Sequence, residues 1–321
     1  MSMRKAMLLY NPLSGRRQSR RVADVEAASK VLGDAGIEIA AEPTRSSTEA
    51  GSQAREAISA GCDTVFACGG DGTIHDVLQG MVGTEAALGI IPLGTANALA
   101  HDLKIPLSAT RAAKAGLLAR PRRLAVGKVE FQNFSGTRSS RYFTVAAGIG
   151  VDAHLFYNLT PAFKKRHGMA AYYAKAWHLW ATHKMPFFHV EWNAEVGELR
   201  KEDVTELLAV RIANFGGVLR SLAPGASLDR HDLRLVLCNT AKRAAYLHYV
   251  FQGLSGRQRN VRGIELAYSS QLSCTTLNNV QQDAQNIYIE ADGELLGTLP
   301  ATITMIPNAF NLLVPAGWKS S

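Results

Sequence analysis

The 321-residue sequence has only four cysteines, Cys62, Cys68, Cys238 and Cys274, and none stand in Cys-x-x-Cys spacing. They read as buried thiols of a reducing compartment, not as a disulfide framework or a zinc site. The uncharged stretch 86–100 is interrupted by Gly89, Pro92 and Gly94. It falls short of the ~20 mostly apolar residues that a membrane-spanning helix needs, and no such helix is expected. Arg4 and Lys5 are followed by only Ala6-Met7-Leu8-Leu9-Tyr10 before Asn11-Pro12. That run is too short for a signal-peptide core and reads as a first buried strand. No internal repeat or low-complexity tract is visible. Charged residues are 19% against 47% hydrophobic, which excludes a disordered chain.

What is present is a core-forming composition with a basic excess. At ~150 residues per domain the length predicts two domains. Lys plus Arg is 35 and Asp plus Glu is 27, a net charge of +8. The excess favours an anionic partner such as a nucleotide, a nucleic acid or an acidic lipid surface. The basic residues are scattered and form no nucleic-acid-binding motif. A cytoplasmic protein is expected, with peripheral contact at the inner, anionic membrane surface.

Residues 1–121 alternate short apolar runs with helical spacing. Strands are predicted at 7–10, 37–41, 64–68 and 87–91. Helices are predicted over 17–32, from a Ser47 cap to 60, over 73–81 and 96–103, and from a Ser108 cap to 120. Such alternation predicts a mainly parallel sheet covered on both faces, an α/β nucleotide-binding domain. The rhythm changes after Pro121. Strands are expected at 122–131, 142–147, 187–193, 206–214, 233–238, 263–269, 287–291 and 301–306. Helices are few, near 168–184 and 241–254, and 135–141 reads as a hairpin tip. Residues 122–307 are therefore expected to form an antiparallel β-sandwich. The segment 310–314, within 308–321, reads as a lone strand returning to the first domain.

Three strand-end loops carry the chemistry. Asn11-Pro12-Leu13-Ser14-Gly15-Arg16-Arg17 leaves the first strand for a helix, where backbone N–H groups and the helix dipole favour phosphate. An ordinary strand-to-helix turn would look similar. Gly69-Gly70-Asp71-Gly72-Thr73 has three glycines around one acid, more than a plain turn needs, and allows close backbone approach to a ligand. An acid at a phosphate loop implies Mg²⁺ between them. Pro92-Leu93-Gly94-Thr95-Ala96-Asn97 offers Thr95 and Asn97 as hydrogen-bond donors to a nucleotide, or as helix caps. All three point to the crevice beyond the carboxyl ends of the strands. None matches the Walker loop or Gly-x-Gly-x-x-Gly.

Taken in order, these loops resemble the diacylglycerol kinase catalytic-domain family, which includes soluble bacterial lipid kinases and the sphingosine and ceramide kinases. Gly148-Ile149-Gly150-Val151-Asp152-Ala153 is similar to that family's Gly-x-Gly-x-Asp-Ala. Gly168 with Tyr172, Asn214 with Gly216 and Gly217, and Glu290-Ala291-Asp292-Gly293-Glu294 extend the likeness. The resemblance implies an α/β domain followed by a β-sandwich, with the active site in the cleft between them. It implies ATP held by Asn11, Thr44, Gly69, Gly70, Asp71, Gly72, Thr73, His75, Asp76, Gly94, Thr95 and Asn97. It implies a general base at Asp292 or Glu294, with Asp292 the first choice. Asp71 and Asp152 complete a carboxylate and Mg²⁺–water network.

Two departures from the family pattern stand out. His75-Asp76 replaces the usual Asn-Glu. In Pro224-Gly225-Ala226-Ser227-Leu228-Asp229-Arg230-His231-Asp232-Leu233, Arg230 and His231 replace an Asp and a Gly that support a structural metal. Arg230 is expected to supply its own charge there, and no metal-ligating set is assigned. His167, His178, His183 and His189 are spaced eleven, five and six residues apart, which does not bring their rings together. Residues 154–180 mix aromatics with Lys and Arg, as a membrane interface does or as a packed helix does. The implied function is an ATP- and Mg²⁺-dependent lipid kinase, with diacylglycerol as acceptor and phosphatidic acid as product. A sphingoid base or phosphatidylglycerol is an alternative acceptor. A non-catalytic lipid or nucleotide sensor is the alternative of another class. An NAD kinase is disfavoured by residues 92–97 and 290–294.

Overall fold

The computed structural model describes residues 3–12, 18–158, 174–175, 177–194, 197–215, 222–255, 260–277 and 287–318. The N-terminal part runs β1 (Lys5–Tyr10), α1 (Arg21–Gly33), β2 (Glu38–Pro43), α2 (Ala50–Ser59), β3 (Thr64–Gly69), α3 (Asp71–Met81), β4 (Ala87–Pro92), α4 (Ala98–Asp102) and α5 (Ala109–Leu118). Its strands pair in parallel in the order β2-β1-β3-β4. β3 and β4 are buried along their whole lengths. That is why they read as unbroken apolar runs instead of alternating ones.

The chain continues through β5 (Arg120–Gln132), β6 (Arg138–Phe143), β7 (Ala146–Gly150), α6 (Val151–Asn158), β8 (Phe188–Asn193), β9 (Leu199–Val204), β10 (Glu206–Val210) and β11 (Leu233–Cys238). It ends with α7 (Arg243–Ser255), β12 (Ile264–Ser269), β13 (Gln271–Thr276), β14 (Tyr288–Ala291) and β15 (Glu294–Val314). The pairings among these later strands are antiparallel. Their inward side chains, among them Phe131, Phe143, Ile149, Phe188, Trp192, Leu207 and Leu235, form a sandwich core of their own. A second core fills the N-terminal α/β part and runs on to Ala146, Val210 and Val236 of the later strands. The fold is a parallel α/β unit followed by an antiparallel β-sandwich.

Several elements differ from their sequence reading. Residues 301–306 and 310–314 belong to one strand, β15, which pairs antiparallel with β5 and then runs parallel to β4 through Asn311 and Leu312. The strand expected over 142–147 is split between β6 and β7. The tip expected at 135–141 is tighter, with Asn133 N–H bonded to the Thr137 carbonyl and β6 beginning at Arg138. β9 and β13 were not expected, because their outward positions are polar and their apolar positions few. α2 starts at Ala50, and Ser46 rather than Ser47 bonds the Glu49 N–H ahead of it. Of the helix expected over 168–184, the stretch up to Tyr173 lies outside the described residues.

Candidate active site

The ends of β1, β3 and β4 bring their loops to one edge of the sheet. Asn11 N–H bonds the Cys68 carbonyl, and Thr44 N–H bonds Tyr10. Leu93 N–H bonds Gly69, joining the second loop to the third. A methyl group at Gly94 would run into the Gly70 backbone, so the two loops touch only because glycine faces glycine. Residues 13–17 of the first loop, including Ser14, Gly15, Arg16 and Arg17, lie outside the described residues.

Asp71 opens α3, and the backbone N–H groups of Ala98, Leu99 and Asn97 at the start of α4 face its carboxyl group. Burial and the nearby Asp292 raise its pKa, while the amide bonds pull it back. Its Oδ1 is buried without a partner among the described residues. Asn97 adopts φ +52° and spends its side chain on its own loop, accepting from Gly94 N–H at 2.9 Å and donating to the Gly94 carbonyl at 3.1 Å. Thr95 is exposed. Thr73 is buried against Gly69.

The other wall is the tight turn joining β14 to β15. Asp292 sits there at φ +51°, its side chain buried. Its carboxylate accepts Val145 N–H at 2.8 Å, Thr144 N–H at 3.0 Å and Ala146 N–H at 3.1 Å, with the Thr144 hydroxyl at 3.4 Å. These bonds explain the split between β6 and β7: the amides of 144–146 turn to a carboxylate, where a continuous strand would have turned them to a neighbour. Glu294, two residues on, is exposed as a residue, but its carboxyl leans over α3. A methyl group at Gly72 would stand 2.5 Å from Glu294 Oε1. Partial burial of that carboxyl raises its pKa, His75 lowers it and Asp292 adds to the rise.

His75 and Asp76 follow one turn along α3. His75 is 2% exposed, with Nδ1 3.5 Å from Asp292 Oδ2. Burial pushes the Asp76 carboxyl up to about 7, with His75 opposing the rise and Glu294 adding to it.

Behind this wall lies a second group of acids. Asp152 begins α6, and burial pushes its carboxyl up to about 6. Glu206, at the start of β10, accepts Val151 N–H at 2.5 Å and Asp152 N–H at 3.2 Å. Burial and the adjoining Asp152 hold the Glu206 carboxyl well above its ordinary range. Glu290 accepts Gly293 N–H at 2.8 Å and is raised by burial and by Asp152. Glu206 carried no motif in the sequence. Its signal was one acid opening an otherwise apolar strand.

Further along α6, Tyr157 stacks on Tyr288 at 4.2 Å between ring centres, and exposed Phe134 lies 6.3 Å from both. Gly168, Tyr172, Gly216 and Gly217 lie outside the described residues. Asn214 N–H bonds Asp102 at 3.0 Å. Arg230 forms a two-point ion pair with Asp232 and lies over the Tyr268 ring at 3.8 Å. Among the described residues no three His, Cys, Asp or Glu side chains are grouped to hold a metal.

Known proteins with this layout include diacylglycerol kinases and an NADH kinase. Residues 5–129 match the model of the diacylglycerol kinase catalytic domain. Residues 144–314 match the YegS C-terminal NAD kinase beta sandwich-like domain. A diacylglycerol kinase of Bacillus subtilis (strain 168) is 27% identical, covering 98% of this chain and 97% of its own. One of Staphylococcus haemolyticus (strain JCSC1435) is 26% identical, covering 98% and 89%. The crystal structure of a diacylglycerol kinase from Bacillus anthracis str. Sterne shares the fold with a TM-score of 0.71 at 18% identity, covering 98% of both chains. Yeast NADH kinase shares it more distantly, with a TM-score of 0.51 at 12% identity, covering 98% and 84%. With both halves matched in order, the chain is an enzyme of the diacylglycerol kinase catalytic-domain family, a family of lipid kinases.

Proposed function

We propose that this enzyme transfers the γ-phosphate of MgATP to the hydroxyl of diacylglycerol, giving phosphatidic acid. The observation that carries the reading is the Glu294 carboxyl seated over Gly72, at the opening turn of the helix that follows the phosphate loop. A proton acceptor and a phosphate site thus share one helix end, as in-line phosphoryl transfer requires.

ATP lies along the strand ends, against Asn11, Thr44, the 69–73 loop with His75 and Asp76, and the 94–97 loop. Gly94 and Thr95 serve by backbone and hydroxyl. Asn97 serves by shaping the turn, since its amide is already used. Mg²⁺ arrives with ATP as part of the substrate and neutralises triphosphate charge. The buried, unpartnered Oδ1 of Asp71 fits that cation or its water, and would repel a bare phosphate oxygen. Asp152 stands further back, on the lipid side.

Glu294 takes the hydroxyl proton as the oxygen attacks. It is favoured over Asp292 because it is exposed, whereas the Asp292 carboxylate is filled by three amides and a threonine hydroxyl. The apolar body of the lipid lies along α6 and β14, past Tyr288, Tyr157 and Phe134. The exposed rings of Tyr157 and Phe134 and the +8 charge support contact with an anionic membrane surface. Among the described residues no helix is long and apolar enough to cross a membrane.

The test is transfer of labelled γ-phosphate to a panel of hydroxyl lipids in mixed micelles. Diacylglycerol should be labelled ahead of sphingoid base and phosphatidylglycerol. Glu294→Gln should cut kcat by about 10²–10⁴-fold while leaving the KM for ATP nearly unchanged. Full turnover in that variant would reject Glu294 as the acceptor, and labelling of another lipid alone would reject diacylglycerol.

A further inference from the structure

Among the described residues, Arg211 is the largest side chain to be wholly buried. It stands just past the end of β10 and carried no motif in the sequence. A buried charge ordinarily faces an acid. This one faces carbonyl oxygens. Its Nη2 donates to Ala125 of β5 and to Leu228, each at 3.0 Å. Its Nη1 donates to the Arg230 carbonyl at 3.4 Å and to Met305 Sδ of β15 at 3.2 Å. Nε is buried without a partner among the described residues. A donor left unpaired in the core costs stability, so its retention calls for a reason. Burial lowers the guanidinium pKa to about 10, with Asp292, Asp232 and Asp229 opposing, and the group keeps its charge at neutral pH.

The segment that it grips supplies the reason. Leu228 and Arg230 belong to residues 224–233, where the family resemblance implies a structural metal. Hard cations of that kind are held by carboxylates and carbonyls. Both carboxylates of this segment are already matched, Asp229 to Arg122 at 2.8 Å and Asp232 to Arg230 at 2.5 and 2.6 Å. The Pro224 carbonyl accepts from Arg234 Nε at 2.8 Å. A divalent ion placed among these groups would stand beside guanidinium charges with no spare carboxylate to offset the repulsion. The residues present do not fit a metal. They fit one another, because carbonyls that converge on one point need a positive group between them. We propose that Arg211 is the built-in cation of the 224–233 segment, so that this half of the enzyme holds its shape without a bound divalent ion. The backbone N–H of Arg211 bonds Val145, whose own N–H serves Asp292. The same residue therefore ties the segment to the wall of the cleft.

The test is hydrogen exchange of the whole, nucleotide-free chain, read at the amides of Ala226, Asp229 and Arg230, which are bonded within the segment. EDTA-treated protein and protein given about 10 mM Mg²⁺, Ca²⁺ or Mn²⁺ should exchange there at the same rate. An ion bound at about ten times its Kd would slow exchange roughly tenfold, and that result would overturn the proposal. Arg211→Met keeps a long unbranched side chain and removes the charge. Exchange in the segment should then rise about tenfold or more, as expected when hydrogen bonds to a charged group are lost. Arg211→Lys keeps a charge able to bridge two carbonyls and should stay close to wild type. A Met variant as protected as wild type, or a Lys variant loosened by about tenfold, would also overturn the proposal. Should the Met variant fail to fold, the ion titration of wild type and the Lys variant decide.

Discussion

Two groups of acids lie behind the same cleft, and the fold treats them differently. Asp292 accepts three backbone amides, and the amides that open α4 face Asp71. Asp152, Glu206 and Glu290 are mostly given one another. They share few donors, and burial raises all three, Glu206 and Glu290 farthest. A carboxyl group faced by backbone amides ties down the loops around it. A carboxyl crowded by other carboxyls keeps a proton and becomes neutral packing with hydrogen-bonding capacity. Glu294 belongs to neither group, being neither fed by amides nor sealed in. The comparison teaches that an acid's place in a glycine-rich motif does not say how free its oxygens are.

The sharpest way to break this contrast is to change one carboxyl in each group to its amide. Asp292→Asn sets an amino group against amide donors on one side or the other, because both oxygens already accept. Urea unfolding should show a loss of about 2 kcal/mol or more, the cost of a buried donor left unmatched. A loss below about 0.5 kcal/mol, typical of a surface change, would show that those amides are not what Asp292 is for.

A smaller effect is expected from Asp76, which holds a carboxyl raised to about 7 at the edge of the cleft. A carboxyl whose folded pKa is raised contributes stability that is full below its unfolded value near 4 and is lost as pH rises through about 7. The ligand-free protein should therefore lose Tm between pH 4 and pH 8, and Asp76→Asn should flatten that slope by a few degrees. The conversion is about 2–4 °C per kcal/mol for a chain of this class. Identical slopes in the two proteins would remove Asp76 from the account.

The smallest effect should come from Glu206→Gln. A glutamic acid that keeps its proton is already neutral, and the amide oxygen can still accept from Val151 and Asp152. Stability should change by less than about 1 kcal/mol. A large loss would mean that Glu206 is ionised and belongs with the amide-fed group.

Much of this was legible in the sequence, for physical reasons. β1, β3 and β4 are short apolar runs closed by glycine or proline, so the parallel sheet and its loops announce themselves locally. The antiparallel half was less legible. β9 and β13 carry polar outward faces, and the break at Thr144 depends on a carboxylate 148 residues away. The candidate acids Asp71, Asp152, Asp292 and Glu294 were each named from a motif, and the structure sets Asp71 near Asp292 and Glu294 over the turn that follows Asp71. Their division of labour was hidden, because it depends on which oxygens are already occupied. Asn97 is the same case in small: a residue fit to donate to a nucleotide is consumed by its own turn. Glu206 was invisible because its partner is the start of a helix 55 residues earlier in the chain.

β15 has a mechanical meaning as well. It starts at Glu294, beside the phosphate loop, crosses the sandwich, and finishes as the parallel neighbour of β4. The acid and the strand that launches the 94–97 loop are thus mounted on one hydrogen-bonded beam. Opening the cleft like a jaw would shear that beam from its neighbours along much of its length. Substrate must therefore be admitted by the smaller parts at the rim, while the frame holds the acid and the phosphate loop at a constant separation.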